Sequence, residues 1–441
     1  MKKIKFTKLL MLDLQKLSKK NYIKSLYIFL LGVLSSFSLP PFNFFIINFI
    51  TFSLFFIFLF NKKNSSHNKW FFFIYGWLFG FGYFLSSLYW VSISLTFDES
   101  FKFLIPLATI LLPACLSIFY GMVTYFFLIL SSKNVISSFF IFSTLFGLVE
   151  FIRGYILTGF PWNLISFSFS DNIYFIQILS IIGTYSFNLI CISLFTLPAI
   201  VLLRVSKNEI IVSFLFILLS VGFLIFGNLK NNEFELQKTV KNPYKIRVIS
   251  PNISLNRFYS KKDESKIINE LIKLSNSEKK EPTIFLWPEG IIPDTNLAKI
   301  SIYKDLFMNN FHEDDLIIMG LSNVESIGDK ISLYNTLAVF DRKLDLKDHY
   351  NKINLVPFGE FIPMENILGY FGLKTITNEY QPFSAGNNRK LIEISNNGIN
   401  LSLLPLICYE IIYSGKLSNE KNFDYIINIS EDGWFGKSIG P

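Results

Sequence analysis

The sequence predicts a polytopic α-helical membrane domain followed by an extracytoplasmic α/β domain, and three observations carry that expectation. Half of the 441 residues are hydrophobic, and the 51 phenylalanines crowd mostly before position 230. Seven apolar runs in that stretch approach the roughly 20 residues that a bilayer-spanning helix needs. Beyond about residue 228 the composition changes to short strand-like runs alternating with helical ones, the pattern of a layered α/β domain. The division expected is therefore 1–228 in the membrane and 229–441 outside it.

The apolar runs cover about 23–39, 42–60, 70–95, 101–130, 135–157, 176–203 and 210–227. Lysines crowd the N-terminus, among them Lys2, Lys3, Lys5, Lys8, Lys16, Lys19, Lys20 and Lys24, and no small-residue cleavage site follows, so a retained signal anchor is expected. Lys62, Lys63 and Lys69 follow the second run, Lys133 the fourth, and Arg204 and Lys207 the sixth, whereas Asp98 and Glu99 follow the third. By the positive-inside rule the N-terminus is cytoplasmic, and an odd number of crossings delivers the second half to the other side. The formal charge of +8 thus belongs to membrane orientation rather than to nucleic-acid binding. Within the fifth run, Glu150 and Arg153 lie one helical turn apart, either as a self-neutralising ion pair or as a functional site, because charge at that depth is costly. Thr158-Gly159-Phe160-Pro161-Trp162-Asn163 joins a helix breaker to an interfacial aromatic and suits a re-entrant or interfacial turn.

In the second half, strands are expected at Ile246–Ile249, Ile284–Trp287, Leu316–Met319, Thr336–Phe340, Leu401–Ile407 and Tyr425–Ile429, with a helix over 262–280. Glu289 and Cys408 stand just past two of these strands, and Lys352 in the segment after the strand ending near Phe340. Strand ends are where side chains converge on a site. Cys115 and Cys191 lie in apolar runs as small buried thiols, while Cys408 is alone in the polar half. A thiol becomes an effective nucleophile only when a base takes its proton or a cation stabilises its anion, so Glu, Lys and Cys together suffice for acyl transfer without histidine. Taken singly, each has a plainer reading: a core cysteine, a solvated lysine, a helix-capping glutamate. His67, His312 and His349 are scattered and occupy no strand end, and no CxxC or HExxH occurs, so neither a cysteine–histidine pair nor a metal is expected.

The strings around the three residues, LWPEG, YNKINLVPFGEFIP and LLPLICYE, resemble the signature segments of the nitrilase superfamily in the version found in apolipoprotein N-acyltransferases. NTLAVFDR, ISEDGWFG, and in the membrane half SLPPFN, YWVSISL, EFIRGYILTGFPWN and GTYSFN, extend the likeness over nearly the whole chain. The resemblance implies a nitrilase-like αββα sandwich in which Glu289 is the general base, Lys352 the oxyanion-stabilising cation and Cys408 the nucleophile. Glu360, Tyr409 and Glu410 match supporting positions, and Phe258 matches an aromatic that relatives carry as tryptophan. Such proteins move an acyl chain from a phospholipid, typically the sn-1 position of phosphatidylethanolamine, through a cysteine thioester to the α-amine of a diacylglyceryl-cysteine apolipoprotein. They need no cofactor, and they sit in the bacterial inner membrane with the catalytic domain in the periplasm. Apolar loops near Ile362–Phe371 are expected to admit the acyl chains. Two departures stand out: Glu431 replaces a usual asparagine, and relatives continue past Pro441, so the chain is expected to be truncated within its catalytic domain. The rival readings are a membrane-tethered amidase or nitrilase acting on a small C–N compound, and a transport or sensor protein whose nitrilase-like domain only binds.

Overall fold

The computed structural model describes residues 21–63, 68–237, 244–258, 264–277, 281–327, 330–363, 381–396, 399–417, 420 and 422–440. The lysines from Lys2 to Lys20, His67 and the part of the expected acyl-admitting loop beyond residue 363 lie outside them. The chain divides into two compact units, Met1–Lys238 with Phe435–Pro441, and Thr239–Trp434.

In the first unit the apolar runs form α1 (Asn21–Ser36), α2 (Ile46–Lys63), α3 (Lys69–Leu88), α4 (Ile105–Leu130), α5 (Val135–Arg153), α6 (Leu179–Leu203) and α7 (Lys207–Leu236). Six of these, α2 to α7, are long and apolar enough to cross a membrane, and α1 is a shorter apolar helix. The chain is a multi-pass membrane protein. Without water to drive association, such helices hold together by close packing. Glycine permits it between α1 and α3: a Cβ at Gly32 would come within 2.0 Å of the Phe79 carbonyl oxygen, and one at Gly82 within 2.2 Å of that of Phe29. Phenylalanines fill the rest, with Phe55 stacked on Phe79 at 4.3 Å and Phe142 packed on Phe146 at 4.9 Å.

Several buried polar groups in this unit are paired with one another. Arg153 Nε donates to Glu150 Oε2 at 3.1 Å, and both side chains are buried, so the two charges form an ion pair. The same guanidinium donates through Nη1 to the carbonyls of Phe160 and Trp162, at 2.5 and 2.9 Å, and so fastens the turn that follows α5. Asn163 at the end of that turn donates to Ser87 Oγ at 2.8 Å. Gly183, in the GTYSFN string, adopts φ 73° and kinks α6, which a residue with a side chain does at a steric cost. At the opposite end of α2, Lys63 Nζ donates to Ser131 Oγ at 3.0 Å and to the Ser132 carbonyl, bringing the lysine-bearing end of α2 beside the loop that holds Lys133. Trp90 packs on Trp162 at 5.7 Å and edge-on to Phe435 at 4.7 Å, so three of the family-like strings meet inside this unit.

The second unit stacks helices and two sheets. A five-stranded sheet has the order β1 (Lys245–Val248), β2 (Thr283–Leu286), β3 (Leu316–Ile327), β4 (Lys330–Asp341) and β5 (Leu346–Asn351). A three-stranded sheet has the order β6 (Ile392–Asn396), β7 (Ile399–Ile407) and β8 (Tyr425–Ile429). Alternation along each strand decides which layer a residue joins. Ile284, Ile318, Leu337 and Val339 face Leu401, Leu403, Ile407 and Ile427 between the sheets. Their neighbours Phe285, Ile317, Met319 and Ala338 face Ile268 and Leu271 of α8 (Glu264–Ser275) and Phe307 of α9 (Lys304–Asn310). β3 and β4 run well past the expected apolar cores, and β5 and β6 come as additions. β5 is the outer strand of its sheet and reads LKDHYN; edge strands carry charge where a buried strand carries hydrophobes, which hides them from a search for apolar runs.

Candidate active site

Glu289 is placed by a tight exit from β2. After Leu286, the Trp287 amide still donates to the Ile318 carbonyl at 2.8 Å, Pro288 ends the ladder, and Gly290 turns the chain at φ 55°. The backbone of Glu289 then presses on β3 at Gly320, where a Cβ would sit 2.6 Å from the Glu289 Cα; only glycine allows this approach. Lys352 follows β5 directly, its amide donating to the Asn335 carbonyl at 2.8 Å. Cys408 follows β7 and opens a 3₁₀ turn, Cys408–Ile412. Its φ of 55° lies in the left-handed region, a conformation that costs a non-glycine residue about 1–3 kcal/mol and that clusters at reactive sites.

Four of the expected site residues come together. The Lys352 side chain is only 1% exposed, and its Nζ donates to Glu360 Oε1 at 3.0 Å and to Glu289 Oε1 at 3.3 Å. The Asn335 amide donates to the same two oxygens, at 2.6 Å to Glu289 and 2.7 Å to Glu360. Glu360 also accepts from the Val356 amide at 2.8 Å, which closes the loop carrying it. Glu289, Lys352, Ser430 and Glu360 all act on the Cys408 thiol.

The charges explain the titration of each member. Burial pushes the Glu289 carboxyl above the ordinary carboxylate range, with Lys352 opposing and Glu360 reinforcing the rise. Burial works against the Lys352 ammonium, but Glu289 and then Glu360 outweigh it and hold it above the ordinary lysine value. The Cys408 thiol is pushed up to about 12, first by burial and then by Glu289, against the pull of Lys352 and a hydrogen bond with Ser430. The shift favours the protonated thiol, and a carboxylate and a buried ammonium stand in its field.

The remaining expected residues surround this centre. The Tyr409 ring lies 5.8 Å from Lys352 Nζ, and its hydroxyl donates to the Leu355 carbonyl at 2.7 Å. Glu410 is fully buried: Oε1 accepts from the amides of Ile353 and Asn354, each at 3.0 Å, and Oε2 from the amide of Ile407 at 3.0 Å. One carboxylate thus ties the segment after Lys352 to the strand end before Cys408. Phe258 covers Gly290, whose Cβ position lies 3.2 Å from its ring, and packs against Trp434 at 5.1 Å.

The comparison with known proteins follows the same lines. Residues 31–197 match the family model of the apolipoprotein N-acyltransferase N-terminal domain, and 284–441 match that of the carbon–nitrogen hydrolases. The apolipoprotein N-acyltransferase of Rhizobium rhizogenes strain K84 is 31% identical, over 96% of this chain and 80% of its own length. That of Rickettsia typhi strain Wilmington is 34% identical, over 95% of this chain and 82% of its own. The chain belongs to the apolipoprotein N-acyltransferase family.

For an apolipoprotein N-acyltransferase family member, the placement of residues within the matched stretches is informative. Glu289, Lys352, Glu360 and Cys408 all fall inside the carbon–nitrogen hydrolase match, whereas Phe258 precedes it. Four residues that sequence reasoning left without a role join the site. Asn335 sits in the family-like NTLAVFDR string, a polar residue before an apolar strand core, which was the available signal. Ser430 lies in ISEDGWFG on the thiol. Arg389 donates to Glu410 Oε1 at 2.6 Å and to the Tyr350 hydroxyl at 3.1 Å, and Arg257 pairs with Glu431; neither has a local pattern that marks it. His349 lies on the edge strand β5 opposite Ala338. His312, Glu313 and Asp314 place three ligand atoms within 4.8 Å of one another in the loop before β3, but Arg342 already pairs with the exposed Glu313 at 3.8 Å.

Proposed function

We propose that this chain transfers an acyl chain from the sn-1 position of a phospholipid such as phosphatidylethanolamine to the N-terminal α-amine of diacylglyceryl-cysteine lipoproteins, through a thioester on Cys408. The observation that carries this reading is the buried Lys352 ammonium held between Glu289 and Glu360 with the Cys408 thiol in the same field. In this scheme Glu289 takes the thiol proton as the sulfur bonds to the ester carbonyl carbon, and Lys352 meets the negative charge that develops on the carbonyl oxygen. The ester C–O bond breaks and Glu289 returns the proton to the departing lysophospholipid. The lipoprotein amine then attacks the thioester, Glu289 receives the amine proton and passes it to the sulfur as the C–S bond breaks, and an amide, a free thiol and the starting carboxylate remain. Glu360, Tyr409 and Glu410 position the lysine and the nucleophile, and Phe258 supplies apolar wall.

Residues 1–228 serve as the membrane domain and 229–441 as the catalytic domain in this reading, with the N-terminus cytoplasmic and the catalytic domain in the periplasm of a bacterial inner membrane. The contact of Lys63 with the loop bearing Lys133 supports that orientation, because it gathers two basic loops at one end of the helical unit. Both substrates are anchored lipids and reach such a site by lateral diffusion.

The test is intact-mass analysis of protein purified with phosphatidylethanolamine vesicles. The expected result is a hydroxylamine-sensitive adduct of acyl-chain mass on Cys408, which disappears on addition of a diacylglyceryl-cysteine peptide as the peptide gains an amide-linked chain. An unmodified Cys408→Ala protein that still triacylates the peptide sinks the reading.

A further inference from the structure

We infer that the buried ion pair between Arg257 and Glu431 is a clamp that positions the Phe258–Trp434 aromatic wall against the acyl chain of the donor. The two residues are 174 positions apart, on the 3₁₀ turn Leu255–Phe258 and on the loop just past β8. The Arg257 side chain is 0% exposed. Its Nη2 donates to Glu431 Oε2 and its Nη1 to the Ile253 carbonyl at 2.9 Å, while its Nε finds no acceptor among the described residues. Among the described residues Glu431 is the carboxylate paired with it, and a buried guanidinium without such a partner is strongly disfavoured.

Both partners reach the reacting groups through their immediate neighbours. On one side, Phe258 follows Arg257, lies under its guanidinium at 4.6 Å, and covers Gly290 next to Glu289. On the other side, Ser430 precedes Glu431 and bonds the Cys408 thiol, while Trp434 three residues on packs against Phe258 at 5.1 Å. Glu431 Oε1 also accepts from the Gly433 amide at 3.0 Å, which shapes the turn that presents Trp434. The ion pair thus joins a loop that covers Gly290, next to Glu289, to a loop that reaches the Cys408 sulfur, and the indole and phenyl rings meet where they join. An aromatic pair beside a nucleophile that receives a fatty chain offers apolar surface with few rotatable bonds, and its value depends on the rings being held in place.

This inference rests on the reading of Cys408 as the acyl acceptor. Glu431→Gln is the informative change: the amide oxygen still accepts from Gly433, so the turn is kept and only the charge facing Arg257 is lost. Two rates are compared in the full-length protein: formation of acyl-Cys408 from long-chain phosphatidylethanolamine vesicles, and alkylation of Cys408 by iodoacetamide, which needs no acyl wall. The expected result for Glu431→Gln and for Arg257→Met is an approximately tenfold loss of acylation with alkylation within about twofold of the starting protein. The double variant is expected to lose no more than the weaker single one, and Arg257→Lys to recover most of the rate. Equal loss of both rates, multiplying effects in the double variant, or unchanged acylation overturns the clamp, as does a Glu431→Gln protein that fails to fold. A starting protein that takes up no acyl chain overturns the proposed function itself, so the two failures are told apart.

Discussion

Lys352 Nζ stands nearer to Glu360, at 3.0 Å, than to Glu289, at 3.3 Å. Both glutamates supply its counter-charge, Glu289 acting the more strongly and Glu360, eight residues away, second. A charge-assisted hydrogen bond contributes about 1.5–3 kcal/mol, which corresponds to about ten- to a hundredfold or more in rate. Glu360→Gln is expected to slow acyl-Cys408 formation by that factor. Glu360 also raises the pKa of Glu289, so its removal moves the acid limb of the pH–rate profile to lower pH. A limb that stays in place or climbs removes Glu360 from this role.

Glu289→Gln separates thiol acidity from catalysis. Because the Glu289 charge helps to push Cys408 up to about 12 and Lys352 pulls the other way, loss of the carboxylate leaves the ammonium and lowers the thiol pKa. Alkylation by iodoacetamide at pH 9 is thus expected to quicken, while acylation falls by about 10²–10⁴ for want of the base. Parallel changes in the two rates contradict the assignment.

The acid side of the unaltered enzyme carries its own expectation. A raised Glu289 pKa means that the base is protonated at a higher pH than an ordinary glutamate, so activity drops out above the usual glutamate range as pH falls. At the alkaline side Lys352, held above the ordinary lysine value, keeps its charge through the range in which free lysines lose theirs. Single-turnover acylation between pH 4 and 10 reads the acid limb, with no alkaline limb from Lys352 inside that range; a midpoint at or below that of an ordinary glutamate contradicts the burial of the base.

Arg389→Met is expected to strand a buried carboxylate. Glu410 takes its cation from Arg389 at 2.6 Å, and removing one member of a buried pair costs about 3–5 kcal/mol. A fall in the unfolding midpoint of the catalytic unit, together with slower acylation, is the outcome to look for. Unchanged thermal unfolding refutes it.

Glu150→Gln does the same inside the membrane unit, where Arg153 would retain the carbonyls of Phe160 and Trp162 but lose its counter-ion. A cost of similar size, about 3–5 kcal/mol, is expected in detergent-solubilised protein. Restoration by a second change, Arg153→Met, would identify the pair as structural; persistent loss of activity with normal unfolding would mark Glu150 as functional.

What was legible in the sequence follows from burial. Glu289 and Cys408 come directly after strands whose residues alternate between two packed layers, and such strands announce themselves as apolar runs. Lys352 follows β5, whose charged outer position concealed it, so its place at a strand end emerged only from the pairing of Ala338 with His349 and Leu337 with Tyr350. The seven apolar helices were visible because lipid demands length and composition alone. Arg389 and Arg257 were not, because a buried arginine is specified by a carboxylate distant in sequence and leaves no periodic trace near itself.

Glu410 gathers main-chain amides from both shores of the reacting centre. The position of the segment behind Lys352 is thereby coupled to that of the strand end before Cys408. In the proposed reaction two lipid-anchored substrates use the centre in turn, and such a stiff kernel keeps the same chemistry in place for both.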